Sequence, residues 1–293
     1  NASISEPASQ GLRRFLDLMS RNHAMALVLK SRKLHDLVGS QLTVLPPDTR
    51  HVDYEVIPLV VADGCLYNCR FCRVKSGLGF APRTKENIMC QIERLKKLYA
   101  LDVRNYNSVF LGEHDALCAG RDLLEFAAKN AYEIFDFKHS HLRGANLFFF
   151  GSVNSLLSCD DTTFELLNGL PFNTHINIGL ESADQTTLDL LNKPITVDMI
   201  QDAFVKMLDT NRRYENIEVT ANFVFGDELP QSHLPAFFEL TADNIDRFYG
   251  KGAIYFSPLA NGRPKGKRSL LRQFYKVKAK SRLPTFLYLI QRL

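Results

Sequence analysis

The chain of 293 residues is long enough for one α/β barrel or for two smaller domains. Hydrophobic residues make up 45% of it, which supports a sizeable core, and no apolar run reaches the ~18 residues that a membrane span requires. The net charge of +4 is unevenly distributed, because residues 263–293 carry ten Lys or Arg and no acidic residue, against 26 basic and 32 acidic residues elsewhere. Six cysteines, three of them clustered, favour a reducing compartment over a disulfide framework, so we expect a cytoplasmic protein.

The sequence pattern divides the chain into three segments. Residues 1–50 place apolar side chains at helical spacing and predict a helical N-terminal extension. Residues 51–262 alternate short apolar runs with helical patterns and predict the core of the fold. Residues 263–293 form a basic tail, for which we predict a helix from Ser269 to about Lys280 and, after Pro284, an apolar end that reads FLYLI.

Strands and helices alternate through the core. The apolar runs predict six strands at residues 56–62, 108–112, 145–151, 175–180, 217–225 and 253–257. Helical patterns follow at residues 85–99, 122–133, 162–167, 185–191, 197–208 and 234–246, the first of them capped by Thr84. Because parallel strands need a crossover, usually a helix, this order predicts an α/β fold with a parallel sheet. Six units predict an open, TIM-like partial (β/α)6 barrel with ligands at the carboxyl ends of its strands.

A cysteine-rich loop, residues 64–72, follows the first predicted strand directly and reads GCLYNCRFC. Its cysteines, at C-x3-C-x2-C spacing, are Cys65, Cys69 and Cys72. Three thiolates this close in sequence can bind one face of a soft metal centre, and a [4Fe–4S] cluster bound by three of its usual four cysteines keeps one iron open. A structural zinc site would need a fourth ligand, for which Cys90 and His51 are the nearest candidates. A disulfide would leave one cysteine over and suits a secreted chain.

The C-x3-C-x2-C spacing, with Phe71 before the last cysteine, resembles the signature of radical S-adenosylmethionine (SAM) enzymes. In that family the amine and carboxylate of SAM chelate the open iron, and an electron from the cluster cleaves SAM to a 5′-deoxyadenosyl radical that abstracts hydrogen. The resemblance runs from about Val56 to about Asn261. It implies a (β/α)6 partial barrel, a [4Fe–4S] cluster, SAM, and a reductant such as flavodoxin or ferredoxin. The GLES and NKP segments are similar to the broad group of coproporphyrinogen dehydrogenase-like and Elongator-like radical SAM proteins.

The resemblance also implies SAM contacts after the second strand, where the family has a Gly-Gly-Glu-like motif that accepts a hydrogen bond from the SAM amine. Here the segment reads LGEHD, and two registers are open. Either Gly112 and Glu113 match the motif directly, or Asp115 takes the acidic position. A carboxylate at either place neutralises an ammonium group at a desolvated site. Asp115 can alternatively cap the helix that follows.

Further SAM contacts are implied after the fourth and fifth strands. Glu181 and Ser182 match the ribose-binding position of the family, although Ser182 can alternatively cap the next helix. Val224 lies in a segment that loosely resembles the element packing on adenine, and Phe71 is an implied stacking contact. Lys193 can pair with the strand-four carboxylate, but we expect a solvated lysine.

The basic tail, residues 263–293, suggests two substrate directions. One is RNA, bound through phosphate contacts that salt weakens. The other is a membrane-associated or acidic molecule, with the FLYLI end in an interface. The rival class is a non-catalytic metal- or cluster-stabilised domain that binds nucleic acid through the tail. The sequence does not identify the substrate, and we expect His175, at a strand start, to be structural.

Overall fold

The structure, a computed structural model, describes residues 6–41, 44–52, 56–67, 69–72, 78–243, 250–259 and 267–288. Contacts divide the chain into two compact units, residues 1–41 and 42–293. The three-part division of the chain at residues 50 and 262 stays a prediction. Within the described part, no helix is both long enough and apolar enough to cross a membrane.

The first unit contains the predicted N-terminal helices. They are α1 (Glu6–Arg21) and α2 (Ala24–Val38). The side chain of His23 caps α2 by accepting a hydrogen bond from the Ala26 N–H. Gly39 ends α2 with a φ of 67°, a left-handed conformation that glycine adopts without steric cost.

The second unit is built on a parallel sheet. Its described strands are β1 (Ile57–Val60), β2 (Ala62–Asp63), β3 (Ala81–Pro82), β4 (Ser108–Gly112), β5 (Asn146–Gly151), β6 (Asn173–Glu181), β7 (Ile217–Phe225), β8 (Ile254–Pro258) and β9 (Thr285–Leu287). Seven of these described strands form one sheet in the order β1-β4-β5-β6-β7-β8-β9, with every neighbouring pair parallel. The other two, β2 and β3, form a short antiparallel pair beside the cysteine loop.

Helices connect the parallel strands, as the alternating pattern predicts. The described ones are α3 (Lys85–Tyr99), α4 (Arg121–Ile134), α5 (Val153–Ser158), α6 (Asp161–Gly169), α7 (Gln185–Leu190), α8 (Val197–Arg213), α9 (His233–Asp243) and α10 (Lys267–Lys280). Each of the predicted strands and helices of the core is present. The last three residues of the helix predicted at 234–246 lie outside the described residues.

Two of the described strands, the two-residue β3 and the three-residue β9, were not predicted. The apolar segment after Pro284 forms β9, which pairs in parallel with β8 along Ile254–Phe256. The Tyr288 N–H then donates to the Phe256 carbonyl oxygen at 2.8 Å. The described part of the apolar FLYLI end is therefore a strand whose backbone is paired in the sheet, which the sequence did not predict. The last two residues of that motif lie outside the described residues. The described sheet is open, with β1 and β9 as its edges.

The helices pack on the sheet through apolar stripes. Thr84 caps α3 by accepting a hydrogen bond from the Asn87 N–H at 3.2 Å, as predicted. Ile88, Ile92 and Leu95 then repeat at helical spacing and are fully buried. Burying each such side chain contributes about 1.5–3 kcal/mol. This packing fixes the strands, whose carboxyl ends position the candidate site.

A short 3₁₀ segment, Pro47–His51, contacts the sheet interior. Its Asp48 is fully buried and accepts hydrogen bonds from the Thr220 hydroxyl and the Tyr255 hydroxyl, each at 2.9 Å. Thr220 in turn accepts from the Asn177 side-chain amide at 2.8 Å. These bonds attach the segment to β6, β7 and β8.

Candidate active site

The cysteine loop is held by contacts at both of its ends. Cys65 bridges Gly79, and the Arg70 N–H donates to the Leu191 carbonyl oxygen at 2.8 Å, just beyond α7. The Tyr67 hydroxyl donates to the side-chain oxygen of Asn154 at 2.6 Å and accepts from the Asn154 N–H at 3.2 Å. The loop is therefore fixed to the elements that follow β5 and β6.

Gly64 permits the close approach of two backbone segments at the start of this loop. Its φ is +74°, and a Cβ atom at this position would meet the backbone of Leu78 and Gly79. Glycine avoids both the steric and the conformational cost. The Cys65–Gly79 bridge depends on this approach.

All three cysteines of the loop line one cavity of about 440 Å³. Cys69 is buried, and Cys65 and Cys72 are half-buried. Burial raises the pKa of the Cys65 thiol and raises that of Cys69 to about 11. A thiol binds a metal as the thiolate, so metal binding at these cysteines would be coupled to proton release.

Acidic side chains from the ends of several strands line the same cavity. After β4 they are Glu113, whose Oε2 lies 3.7 Å from His114 Nε2, and Asp115. Gly112 ends β4 and is buried, with its carbonyl accepting from the Val61 N–H at 3.0 Å. The predicted residues Gly112, Glu113 and Asp115 thus follow one another at the carboxyl end of β4.

The two carboxylates of this segment have different partners. Asp115 Oδ1 accepts hydrogen bonds from the Ser152 N–H at 3.2 Å, the Ser155 hydroxyl at 2.8 Å and the Cys118 N–H at 3.3 Å. Its Oδ2 is buried and has no hydrogen bond within the described residues. Burial raises the pKa of Asp115. Asp115 therefore caps the turn that follows it, which was the alternative role expected from the sequence. Its Oδ2 can still accept a hydrogen bond from a ligand.

Glu181 forms a buried ion pair at the end of β6. Lys193 Nζ lies 3.3 Å from Glu181 Oε1 and donates to the Gly179 carbonyl oxygen at 2.5 Å. Lys193 is 5% exposed, so the expectation of a solvated lysine is wrong. Glu181 has a φ of +67°, an uncommon conformation for a residue with a Cβ atom. The pair places one charge of each sign on the cavity wall.

Ser182 and Val224 lie behind the cavity rather than on the described lining. The Ser182 hydroxyl lies 2.8 Å from His233 Nδ1, and His233 Nε2 lies 3.0 Å from the Val224 carbonyl oxygen. Because a carbonyl only accepts, Nε2 carries the proton and Nδ1 accepts from Ser182. Burial lowers the pKa of His233, which favours this neutral form. Ser182 also accepts from the Asp184 N–H at 3.0 Å.

Several lining residues were not predicted from the sequence. Asn222 is one, and its side-chain oxygen is buried without a hydrogen bond in the described part of the chain, while its amide donates to Asn177. The others include Tyr67, His114 and Phe150. Phe71, which was predicted, also lines the cavity. In β7, polar residues alternate with apolar ones at positions 218, 220 and 222. This alternation could have indicated that Asn222 lies on a polar face of the strand.

The cavity combines two kinds of donor that suit two kinds of ligand. The soft thiols of its lining suit iron and sulfide, while the carboxylates suit a cationic organic group. Buried polar atoms without hydrogen bonds, on Asp115, His114 and Asn222, need partners that a polar ligand supplies. The residues present therefore fit a cluster together with a zwitterionic, nucleoside-sized molecule.

Comparison with known proteins agrees with this chemistry. Residues 59–241, more than half of the chain, match the Radical SAM superfamily. The chain belongs to this superfamily and is an enzyme of the radical SAM class, which uses a [4Fe–4S] cluster and SAM. No curated protein matches the chain.

Solved structures show the same fold at low sequence identity. A radical SAM methyltransferase from Sphaerobacter thermophilus matches with 15% identity, 81% coverage of this chain, 67% coverage of that chain and a TM-score of 0.53. Methylornithine synthase matches with 13% identity, 92% and 73% coverage and a TM-score of 0.50. Coproporphyrinogen III oxidase from Escherichia coli, a radical SAM enzyme, matches with 11% identity, 88% and 55% coverage and a TM-score of 0.47. The first two of these structures, together with the open parallel sheet, confirm the predicted partial-barrel fold.

Proposed function

We propose that Cys65, Cys69 and Cys72 ligate the [4Fe–4S] cluster and that SAM occupies the adjoining 440 Å³ cavity. The observation that carries the proposal is the shared lining, because the three thiols and the carboxylates of Glu113 and Glu181 face one space. When bound, the reduced cluster supplies the electron that cleaves SAM to a 5′-deoxyadenosyl radical, which abstracts hydrogen from a substrate. The protein binds and orients these groups and excludes water.

Glu113 is the proposed acceptor for the SAM ammonium group. It lines the cavity and has His114 as its described ion-pair partner, so both of its oxygens can face a ligand. Asp115 uses Oδ1 to cap the following turn and offers only the buried Oδ2. A hydrogen bond to a charged group contributes about 1.5–3 kcal/mol. We therefore place the ammonium group on Glu113, in the Gly112–Glu113 register, with Asp115 Oδ2 as a second polar contact of the same ligand.

The other side chains take supporting roles in the proposal. Glu181, fixed by Lys193, is the proposed ribose acceptor, and Ser182 positions the backbone after β6 through Asp184 and His233. Phe71 is the proposed adenine contact. Val224 contributes indirectly, because its carbonyl oxygen orients His233, which in turn contacts Ser182.

Metal analysis and SAM binding test this proposal together. The reconstituted wild type should hold about four iron and four sulfide per chain, and substitution of Cys65, Cys69 or Cys72 by Ala should abolish this content. Glu113→Gln should weaken SAM binding about tenfold or more at unchanged stability, as the loss of one charged hydrogen bond predicts. Asp115→Asn should mainly lower stability, because its capping bonds are weakened.

Two outcomes would contradict these assignments. One zinc per chain in place of iron that is lost in Cys69→Ala would support the non-catalytic alternative, for which the comparisons provide no support. Loss of SAM affinity in Asp115→Asn, with Glu113→Gln unaffected, would move the ammonium site to Asp115.

The substrate is proposed to be anionic, with RNA the first to test. Arg268, Arg272 and Lys276 are exposed on α10, spaced along one face, and no acidic residue occurs in residues 263–293. The sheet pairing of β9 removes the main support for a membrane-interface role of the apolar end. RNA binding through this face should fall steeply with salt.

A charge-matched pair of variants tests the RNA proposal. Replacing Arg268, Arg272 and Lys276 by Gln should weaken RNA binding and its salt dependence, because three phosphate contacts are lost. The control replaces Arg94, Lys96 and Lys97 of α3, which are also exposed, and removes the same charge. Equal losses in both variants would show nonspecific attraction and contradict a role for α10.

A further inference from the structure

A second cluster of metal-ligating side chains lies away from the cysteine loop, at the amino-terminal end of the sheet. His175 is the third residue of β6 and Glu218 the second of β7, and the two are direct partners in the strand register. His51 ends the 3₁₀ segment Pro47–His51. Three separate stretches of the chain therefore meet here, at the end of the strands opposite to the candidate active site.

The distances within this cluster suit one ion. Glu218 Oε2 lies 3.5 Å from His175 Nδ1 and 4.0 Å from His51 Nε2, and one ligand atom of each residue lies within 4.8 Å of the others. Tetrahedral ligands at about 2.1 Å from a zinc ion are separated by about 3.4 Å. Because an imidazole binds a metal in the plane of its ring, rotation of the His51 ring out of its stacked position on His175 would complete the coordination.

His175 provides an independent indication of a ligand. The residue is 8% exposed, and its Nδ1 is buried without a hydrogen bond in the described residues. Its ring is stacked between those of Phe148, at a centroid distance of 4.9 Å, and His51, at 5.2 Å. A buried ring nitrogen without a partner is costly, and a metal ion would satisfy it.

The carboxylate is oriented by the backbone. Glu218 Oε1 accepts a hydrogen bond from the Gly252 N–H at 3.1 Å, which leaves Oε2 directed at the histidines. Outer contacts of this type orient metal ligands in known sites. The side chain of His51 is 41% exposed, so an ion has access from solvent.

The surrounding charges are mixed. Arg50 Nη1 lies 2.5 Å from His51 Nε2, and because a guanidinium only donates, this nitrogen carries a free electron pair. That electron pair is the one a metal uses, so Arg50 would give up this contact and keep its position over the Phe286 ring, 4.3 Å away. Asp48 is buried nearby, and the ammonium group of Lys251 donates a hydrogen bond to the Tyr214 carbonyl oxygen, just before β7.

We propose that His51, His175 and Glu218 bind one divalent transition-metal ion, with zinc as the expected occupant. Two imidazoles and one carboxylate form the ligand set of known zinc sites that keep one coordination position open. Mg²⁺ and Ca²⁺ prefer oxygen ligands, so the two imidazoles disfavour these ions. The bound ion ties the Pro47–His51 segment to β6 and β7. This site is separate from the [4Fe–4S] cluster and does not depend on the proposed function.

Zinc binding to the cluster-reconstituted 293-residue chain tests the site, because the cluster then occupies the three loop cysteines. Equilibrium dialysis should show one zinc per chain beyond the iron, and added zinc should raise the unfolding temperature, since an ion that binds only the folded state stabilises it. Cobalt is the second probe. Its spectrum should show nitrogen and oxygen coordination without thiolate charge transfer.

Three variants define the outcome. His51→Gln changes a partly exposed side chain, so the fold should be retained. It should weaken zinc binding by more than about a hundredfold, which exceeds the effect of losing a residue that only orients a metal ligand. Glu218→Gln should do the same. The control is His139→Gln, which breaks a surface pair with Asp136 at 2.7 Å and should bind zinc like the wild type. Absence of the extra zinc in the wild type, or its retention in both site variants, would overturn the proposal.

Discussion

The ion pair between Lys193 and Glu181 is the residue-scale feature on which the cavity wall depends. Both groups are buried, and removing one partner of a buried pair costs about 3–5 kcal/mol, because the other charge is left unpaired. Lys193→Met should therefore lower the free energy of unfolding by about this amount and weaken SAM binding. Urea denaturation and equilibrium dialysis measure the two effects.

Lys206 offers a matched control for this prediction. It is half-buried, and its ammonium group donates to the carbonyl oxygens of Leu157 at 3.1 Å and Cys159 at 2.5 Å, away from the cavity lining. Lys206→Met should lower stability without changing SAM affinity. If both variants lose the same SAM affinity, Lys193 has no specific role at the cavity.

At the same scale, the sequence predicted some of the site residues that the structure brings together and not others. The cysteines, Phe71 and the acidic residues after β4 and β6 follow motifs in the sequence, and they line one cavity. Lys193 was expected in solvent although its pairing with Glu181 was an open alternative, because the sequence does not show its burial. Asn222 was missed because its contact with Asn177 comes from a strand distant in sequence. Ser182 and Val224 are linked by His233, and no local pattern predicts that link.

At the scale of elements, β1 is an edge strand, and a side chain of α3 forms hydrogen bonds with the backbone at its carboxyl end. Gln91 of α3 is buried; its oxygen accepts from the Val60 N–H at 3.0 Å, and its amide donates to the Val60 carbonyl oxygen at 2.9 Å. Gln91→Leu would leave both backbone groups buried and unpaired, at about 1–3 kcal/mol each. We expect a loss of about 2–4 kcal/mol in urea denaturation, together with faster amide exchange at Val60.

Glu93→Leu, an exposed position on the same helix, is the control for Gln91→Leu. It introduces the same residue without breaking a backbone contact and should change stability by less than about 0.5 kcal/mol. A similar loss in both variants would mean that leucine in α3, and not the missing bridge to β1, is the cause.

The accuracy of element prediction followed the length and regularity of the pattern. The bounds of α3, β4 and β7 agree with the prediction, since each has a continuous apolar run or a clear cap. The six-residue α5 was missed, because its capping box is formed by two serines and lacks the usual Glu or Gln. The three-residue β9 was missed because its pairing with β8 is not visible locally.

At the scale of the whole molecule, the buried Asp48 links the Pro47–His51 segment to the sheet and makes stability depend on pH. Burial raises the pKa of Asp48 above its ordinary value, although His175 and the hydroxyls of Thr220 and Tyr255 oppose this and Glu218 adds to it. The folded state thus binds this proton more tightly than the unfolded state. Its contribution to stability is complete below the unfolded pKa and is lost as pH rises through the folded pKa.

Asp48→Asn isolates this contribution, because the amide does not titrate. As the pH is lowered from about 8 to about 4, the ordinary pKa of an aspartate, the wild type should gain stability relative to the variant, measured by urea denaturation across that range. A constant difference between the two proteins would contradict a raised pKa for Asp48. The opposite slope would indicate that hydrogen bonding to the carboxylate outweighs its burial.

Reductive cleavage of SAM at the cysteine loop is best tested by one anaerobic measurement. The reconstituted protein is mixed with SAM and dithionite, and 5′-deoxyadenosine is measured by chromatography. Wild type and Cys159→Ala, whose cysteine lies outside the cavity lining, should form it, while Cys69→Ala should not. A complete cluster that never cleaves SAM, or equal product from Cys69→Ala, would contradict the account.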